Sequence, residues 1–202
     1  MEQVIPRGHR GWTVRHRRSP RLFTLFLYLA VQVALVLIPL SNPLPSWAAD
    51  ESLEYQVKAA FLLNFTKFIE WPPAAFEAPA SPLAICVLGE DPFGPALDQL
   101  VNGEMVSGHR VLTRRIKAGP APKSCQILFI SRSGKDVSKI LASLGPGVLT
   151  VGEGESFVRE GGMITFVIDG RHVRFRANQA AAESAGLKLS SKLLNVAMSP
   201  KE

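Results

Sequence analysis

The chain has 202 residues, of which 47% are hydrophobic, and a formal net charge of +6. Six of its 23 basic residues but only one of its 17 acidic residues precede position 49, so the remainder has 17 basic and 16 acidic residues and a net charge of +1. This near-neutral remainder gives no support for nucleic-acid binding, which depends on a basic surface. It has the length of one ordinary domain.

The N-terminal segment has the three parts of an export signal. Six arginines precede an apolar run at 22–40, and Ser46 and Ala48 then place small residues at the −3 and −1 positions of a cleavage site. This pattern predicts a signal peptide over 1–48 and an exported domain over 49–202. An uncleaved N-terminal anchor is the alternative, because the apolar run is almost long enough to span a bilayer.

The clearest helix of the domain is predicted over residues 51–70. Wound at 3.6 residues per turn, its apolar residues cover about half of the circumference, which is more than one packing contact needs. They are Leu53, Val57, Ala60, Phe61, Leu62, Phe65, Phe68 and Ile69. Such a helix packs into a groove or against a second molecule. Because Leu63 projects from the otherwise polar side, we expect it to belong to a self-association or partner surface.

Strands and helices alternate along the rest of the domain. Continuous apolar runs predict strands buried on both faces of a sheet, at 83–88, 126–130 and 148–151. An Asp-Gly pair at 169–170 predicts a hairpin between strands at 163–168 and 172–176. The predicted fold class is therefore α/β, a single domain with a mostly parallel sheet flanked by helices and a C-terminal antiparallel hairpin.

Two glycine-containing segments are the candidates for a ligand loop. Residues 152–157 begin like the glycine-rich dinucleotide motif, but Phe157 replaces its third glycine, and Glu153 and Glu155 would repel a pyrophosphate. We therefore expect no dinucleotide there. Residues 89–94 follow the first buried strand, where open α/β sheets place ligands. The alternative, which we favour, is a turn that leads into a helix.

No catalytic or metal-binding motif is complete in the domain. Residues 190–192, Ser-Ser-Lys, lack the S-x-x-K spacing of serine acylases. The two histidines, His109 and His172, are each isolated from the sequence partners that a triad or a metal site requires. We expect no enzymatic activity, no cofactor and no metal site.

Cys86 and Cys125 are the only cysteines, and both lie in apolar surroundings. Since an exported chain meets an oxidising compartment, we expect a disulfide between them, and two buried free thiols are the alternative. Neither cysteine has a His or Cys neighbour at metal-ligand spacing, which argues against zinc.

The predicted hairpin carries a candidate binding face. On a strand, Arg174 and Arg176 lie on one face and the apolar residues that alternate with them lie on the other. Together with Asn178 and Lys192, the two arginines could bind an anion or an acidic partner. The alternative is a strand face that is simply solvated.

Both ends of the domain resemble the YfiR-like periplasmic proteins. Residues 54–72, EYQVKAAFLLNFTKFIEWP, resemble the first helix of that family, and residues 161–197, GGMITFVIDGRHVRFRANQAAAESAGLKLSSKLLNVA, resemble its C-terminal signature. The family is known for negative regulation of a membrane diguanylate cyclase, in an envelope system that includes an outer-membrane lipoprotein. The resemblance implies inhibition by binding, and it supports the pairing of Cys86 with Cys125, because the family uses disulfides. A second cysteine pair that some relatives carry is missing here.

Three functions are compatible with these observations. The first is an exported repressor that binds the periplasmic domain of a membrane diguanylate cyclase, lowers cyclic-di-GMP signalling and thereby limits biofilm; its other expected partners are an outer-membrane lipoprotein and a second copy of the chain, and nucleic acid is not among them. The second is a small-ligand sensor that serves another membrane receptor. The third is a small periplasmic hydrolase whose site the sequence does not reveal.

Overall fold

Strands alternate with helices along the described part of the chain. The computed structural model describes residues 46–117, 124–131 and 136–198, with side chains from residue 52 onward. The strands are β1 Ile69–Glu70, β2 Leu83–Leu88, β3 Met105–Val106, β4 His109–Ile116, β5 Ile127–Ile130, β6 Leu149–Glu153, β7 Ile164–Asp169, β8 His172–Ala177 and β9 Lys188–Leu189. The helices are α1 Ser46–Phe68, α2 Pro95–Val101, α3 Val137–Ser143, α4 Glu155–Arg159, α5 Gln179–Ser184 and α6 Ser191–Val196, and a 3₁₀ turn spans Pro73–Ala75.

Seven of these strands form one sheet, in the order β3-β4-β2-β5-β6-β7-β8, and β1 pairs with β9 separately. The five central strands are parallel, whereas β3 and β8 are antiparallel to their neighbours at the two edges. Every residue of β2 and β5 is buried, as continuous apolar strands require in a sheet that is covered on both faces. The predicted α/β class, mostly parallel sheet and C-terminal hairpin are confirmed. Strands β1, β3 and β9 have two residues each, too few for a periodic pattern to reveal.

Helix α1 packs in a groove on one face of the sheet. It contacts β2 and β8 below it and helices α2 and α6 beside it. Four phenylalanine rings from α1, β7 and β8 form the centre of this core, with neighbouring centroids 5.2–6.0 Å apart; they are Phe61, Phe65, Phe166 and Phe175. Aromatic pairs at such distances stabilise a core beyond their buried area. Contacts within one molecule thus cover part of the wide apolar face of α1.

The expectation that Leu63 lies on an exposed partner surface is wrong. Its side chain is only 7% exposed and belongs to the core beneath α1. The exposed apolar residues of α1 are instead Leu53, Val57 and Phe68, at 60%, 38% and 37%. Hydrophobic periodicity gives the width of an apolar face, but the neighbouring helices decide which part of it is covered.

The second face of the sheet has a smaller core that contains the disulfide. Cys86 of β2 is bonded to Cys125, which precedes β5, and their Cα atoms are 5.8 Å apart. Helix α3 and the Phe157 ring of α4 pack against the same cluster. The disulfide that export and the family resemblance implied is therefore present, and it joins two neighbouring parallel strands.

Two glycines, Gly152 and Gly162, make room for the Phe157 ring. A Cβ atom placed on Gly152 would lie 2.4 Å from the Phe157 ring, and one placed on Gly162 would lie 2.2 Å from it. Neither distance is sterically possible for a carbon atom at a fixed ring. The motif that resembles a dinucleotide loop is therefore a packing motif, in which Phe157 fills the space between two glycines.

The predicted C-terminal hairpin is present, and its turn consists of Gly170 and Arg171. Asp169 pairs with His172 across the turn, and Gly170 adopts a φ of +62°, which favours glycine. Phe175, in β8, is 2% exposed, as its alternation with the arginines predicted. The Asn178 side chain accepts a hydrogen bond from the Ala181 N–H at 3.1 Å and begins helix α5.

Residues 1–45 hold most of the predicted signal peptide and lie outside the described residues, so cleavage after Ala48 stays a prediction. From Ser46 onward the chain forms one compact unit. Within the described residues, none of the helices combines the length and the apolar character that crossing a membrane requires.

Candidate functional site

The order of the strands creates a crevice at the carboxyl end of the sheet. From β2 the chain passes through α2 to β4 on one side, and it later passes from β5 through α3 to β6 on the other side. Helices α2 and α3 therefore cover opposite faces of the sheet. Open α/β sheets bind ligands at such a switch point.

A cleft of about 1210 Å³ lies at this switch point. Helix α1 forms one wall, through Ser52, Gln56 and Ala60. The loop after β2 and helix α2 form the opposite wall, and Ser131 contributes at the end of β5. The segment 89–94, which the sequence favoured as a simple turn, is thus also part of this cleft.

A buried lysine ties the wall formed by α1 to the sheet. Lys58 is 1% exposed, and its ammonium contacts the carboxylates of Glu54, one turn earlier, and Glu153, at the end of β6. The Tyr55 ring lies 4.4 Å from the Lys58 Nζ, measured at the ring centroid, and the Tyr55 hydroxyl donates to Glu153 at 3.4 Å. A buried charge is tolerated only when it is paired, and this one has two carboxylate partners. The Tyr55 ring also meets the edge of Phe93, at a centroid distance of 5.7 Å.

An arginine from β4 holds the loop on the other wall. The Arg115 Nε donates to Asp91 at 2.9 Å, and its guanidinium also donates to the Gly94 carbonyl and to Asp98 of α2. The Asp91 carboxylate accepts in addition from the Phe93 N–H at 2.8 Å. The hydrogen bond from Arg115 lowers the pKa of the Asp98 carboxyl. These contacts fix the loop, so both walls of the cleft are formed before any ligand arrives.

The residues of the predicted hairpin face occupy two sides of the molecule. Arg174 is exposed, and Arg176 lies on the same face of β8 and pairs with Glu155 of α4 at 3.0 Å. Asn178 is engaged in capping α5. Lys192 is exposed on α6, which packs on the α1 side of the sheet, whereas α4 packs on the disulfide side. The structure brings the two arginines together and leaves Lys192 apart from them; a binding role for these residues stays a prediction.

Sequence analysis missed the lysine beneath the cleft, although a signal was present. Lys58 precedes Leu62, Phe65 and Ile69 at spacings of four, three and four residues, which continues the buried face of α1. A charge on a buried face needs a partner, and Glu54, four residues earlier, could supply one from the helix itself. The second partner, Glu153, is 95 residues away in sequence and could be found only in the folded chain.

The described residues contain no group of three or more His, Cys, Asp or Glu side chains that could hold a metal ion.

No curated protein matches the chain. A family model described as YfiR/HmsC-like matches residues 55–198, from the first cleft-lining turns of α1 to the end of α6. The chain therefore belongs to the YfiR/HmsC-like family, a regulatory and non-catalytic family of the periplasm.

Proposed function

We propose that this protein is an exported repressor of a membrane diguanylate cyclase and that it acts by binding the periplasmic domain of that enzyme. Membership of the YfiR/HmsC-like family over residues 55–198 is the observation that carries the proposal. Repression lowers the level of cyclic-di-GMP and, with it, the formation of biofilm. An outer-membrane lipoprotein is the second expected partner.

Binding to another protein requires a surface, and α1 offers one. Leu53, Val57 and Phe68 are separated by 4 and 11 residues, which places them on one face of the helix. We call these three residues the α1 stripe. All three are more than a third exposed, and exposed apolar surface can mark a site of protein contact. The α1 stripe is therefore the surface that we assign to the cyclase.

Substitution of the α1 stripe tests the proposal. Leu53→Ser combined with Val57→Ser should abolish repression in cells and reduce co-purification of the cyclase periplasmic domain, because two apolar anchors are lost from the interface. The thermal midpoint of unfolding should stay nearly unchanged, since both side chains are exposed already. Cyclic-di-GMP is measured in a strain that expresses the cyclase with each variant.

Met105→Ser is the matched control, because Met105 is 59% exposed but lies at the edge strand β3. It should repress like the natural sequence. Full repression by the folded double variant would contradict the α1 stripe as the docking surface. Absence of any complex between the natural protein and cyclase periplasmic domains would contradict the proposed function itself.

A further inference from the structure

A second cavity lies at the amino ends of β2 and β4, at the other end of the sheet from the cleft at the switch point. Its volume of about 330 Å³ is at the lower end of the range that small-molecule sites occupy. Ile69, Leu83 and Val106 supply buried apolar surface, and the half-buried rings of Trp71 and Phe76 supply aromatic surface. An apolar lining with a few placed polar groups is typical of sites for small organic molecules.

Hydrogen bonds hold the aromatic wall of this cavity in place. The Trp71 Nε1 donates to the backbone carbonyl of Gln126 at 3.2 Å. The Gln126 side chain, which is 1% exposed, donates through its Nε2 to the Ala75 carbonyl at 2.6 Å and accepts through its Oε1 from the Ala84 N–H at 2.8 Å. This buried amide ties the 3₁₀ turn, which directly precedes Phe76, to β2. The wall is therefore formed in advance, and a ligand binds without having to order it.

The lining also includes His109, whose ring is held in one orientation. The ring stacks on Phe76 at a centroid distance of 4.0 Å and an interplanar angle of 10°. Its Nδ1 lies 2.6 Å from the Ser81 carbonyl oxygen. Because a carbonyl oxygen only accepts, Nδ1 carries a proton, and the Nε2 of the neutral imidazole keeps its lone pair. No described residue donates a hydrogen bond to this Nε2.

The turn before His109 restricts its backbone as well. Ser107 and Gly108 form the two-residue turn between β3 and β4, with φ values of +50° and +86°, and Val106 pairs with His109 across this turn. Two-residue turns with positive φ at both positions match the twist of the strands that they join. Since its backbone and its ring are both fixed, His109 brings an available and oriented hydrogen-bond acceptor to the cavity.

This acceptor and the two rings together specify the ligand. An aromatic ring packs well against Trp71 and Phe76, because aromatic pairs are stabilised beyond their buried area. The hydrogen bond to the His109 Nε2 requires a group that still carries a donor proton near neutral pH. A phenol hydroxyl carries one, whereas a carboxylic acid is ionised and only accepts. A phenol is also uncharged, so its binding depends little on the charged groups around the cavity.

We propose that this cavity binds a small phenol, whose ring packs against Trp71 and Phe76 and whose hydroxyl donates to the Nε2 of His109. The site is separate from the α1 stripe and from the cleft at the switch point. It would exist even if the partner of the α1 stripe were not a cyclase.

Two probes that differ in one donor proton test the proposal. The compounds p-cresol and 4-fluorotoluene have nearly the same shape, but the fluorine atom cannot donate a hydrogen bond. Nitrogen–proton NMR spectra of the exported protein, at about pH 8 where histidine is neutral, report on each imidazole nitrogen. Titration with p-cresol should shift the His109 Nε2 resonance saturably, and 4-fluorotoluene should leave it nearly unchanged. His172 is exposed on β8 and serves as the internal control, whose resonance neither probe should move.

Substitution of the acceptor gives the second measurement. His109→Phe keeps a ring against Phe76 and removes the Nε2, so it should weaken p-cresol binding about threefold to tenfold, as expected for one hydrogen bond between neutral groups. It should not weaken the binding of 4-fluorotoluene. The matched control is His172→Phe, which should bind p-cresol like the natural sequence. Equal affinities of the two probes for the natural protein would overturn the assigned hydrogen bond.

A cavity-filling variant locates the binding. Val106→Phe, at a buried lining position on β3, should abolish p-cresol binding while far-UV circular dichroism shows an intact fold. Met105→Phe, at the neighbouring position that is 59% exposed, is the matched control and should bind normally. Unchanged binding by folded Val106→Phe, or a dissociation constant for p-cresol weaker than about 5 mM in the natural protein, would overturn the proposal. If Val106→Phe does not fold, the comparison of His109→Phe with His172→Phe decides.

Discussion

The two faces of the seven-stranded sheet are stabilised by different means. On the α1 face, 24 buried residues of the described chain form one core around four phenylalanine rings. On the opposite face, eight buried residues form a core that includes the disulfide, and only short helices cover it. Burial of apolar area supplies most of the stability where the core is large. A covalent crosslink matters more where the core is small. Substitutions on the α1 face should therefore destabilise the protein through lost burial, and those on the opposite face through loss of the crosslink, and the sizes of the two effects should differ.

The largest expected effect comes from a charge placed in the larger core. Leu63→Glu should destabilise the protein by about 5 kcal/mol, close to the whole stability of an ordinary domain, because the new carboxylate would be buried without a partner. The matched control is Leu53→Glu on the same helix, where the side chain is 60% exposed and the expected change is below about 0.5 kcal/mol. Urea unfolding followed by circular dichroism measures both. Equal stability of the two variants would mean that α1 does not pack as described.

A cavity in the same core should lower the free energy of unfolding somewhat less than the buried charge does. Phe175→Ala removes a ring that is 2% exposed and should lower the free energy of unfolding by about 3–5 kcal/mol. Phe68→Ala removes the same side chain from a position that is 37% exposed, so a loss well below half of that is expected. The ratio of the loss for Phe175→Ala to the loss for Phe68→Ala measures how much the stability of the α1 face depends on burial. A ratio near one would contradict the view that burial supplies most of the stability of this face.

On the disulfide face, the crosslink itself can be removed. Cys86→Ala with Cys125→Ala opens a loop of 39 residues, and the chain-entropy account then predicts a loss of about 2–4 kcal/mol. Reduction of the natural protein provides the comparison, because it breaks the bond and keeps both sulfur atoms in place. If reduced and oxidised proteins unfold at the same denaturant concentration, the second face does not rely on its crosslink.

The glycine that contacts Phe157 gives a smaller and purely steric test. Gly152→Ala should cost about 1–3 kcal/mol, because the added methyl group would overlap the Phe157 ring. Gly145→Ala is the matched control, since a methyl group there meets no atom within 4 Å and Gly145 has no positive φ. That control should be neutral or slightly stabilising. Thermal unfolding of the three proteins decides the point, and a neutral Gly152→Ala would show that Phe157 can move.

The smallest expected change in stability comes from replacing the arginines of the edge strand β8. Arg174→Ala with Arg176→Ala removes one exposed side chain and one ion pair to Glu155, whose side chain is 60% exposed, so the loss should stay below about 1 kcal/mol. If this face binds an acidic partner, the variant should still fold and should fail to lower cyclic-di-GMP. Repression at the natural level by the folded variant would leave these arginines as a solvated strand face.

The sequence is sufficient to predict those features that depend on nearby residues. The runs at Leu83–Leu88 and Ile127–Ile130 are apolar throughout, so they had to be strands in a doubly covered sheet. The Asp-Gly pair indicates the hairpin between β7 and β8, although Asp169 itself pairs with His172 and the turn is Gly170-Arg171. The chain has two cysteines, so each had the other as its only possible partner within the chain. Each of these features follows from composition or from spacing within about ten residues.

Only the tertiary structure decides which surfaces are covered and which groups meet. The apolar face of α1 is broad enough to be buried in more than one orientation, and its contacts with α2 and α6 place Leu63 inside and Leu53 outside. Lys58 is buried because Glu153 arrives from a strand 95 residues away. The cleft exists because the fold brings α1 next to the loop after β2 and helix α2 at the carboxyl end of the sheet. Periodicity describes one element by itself, whereas burial and charge pairing depend on the neighbours that the complete fold brings together.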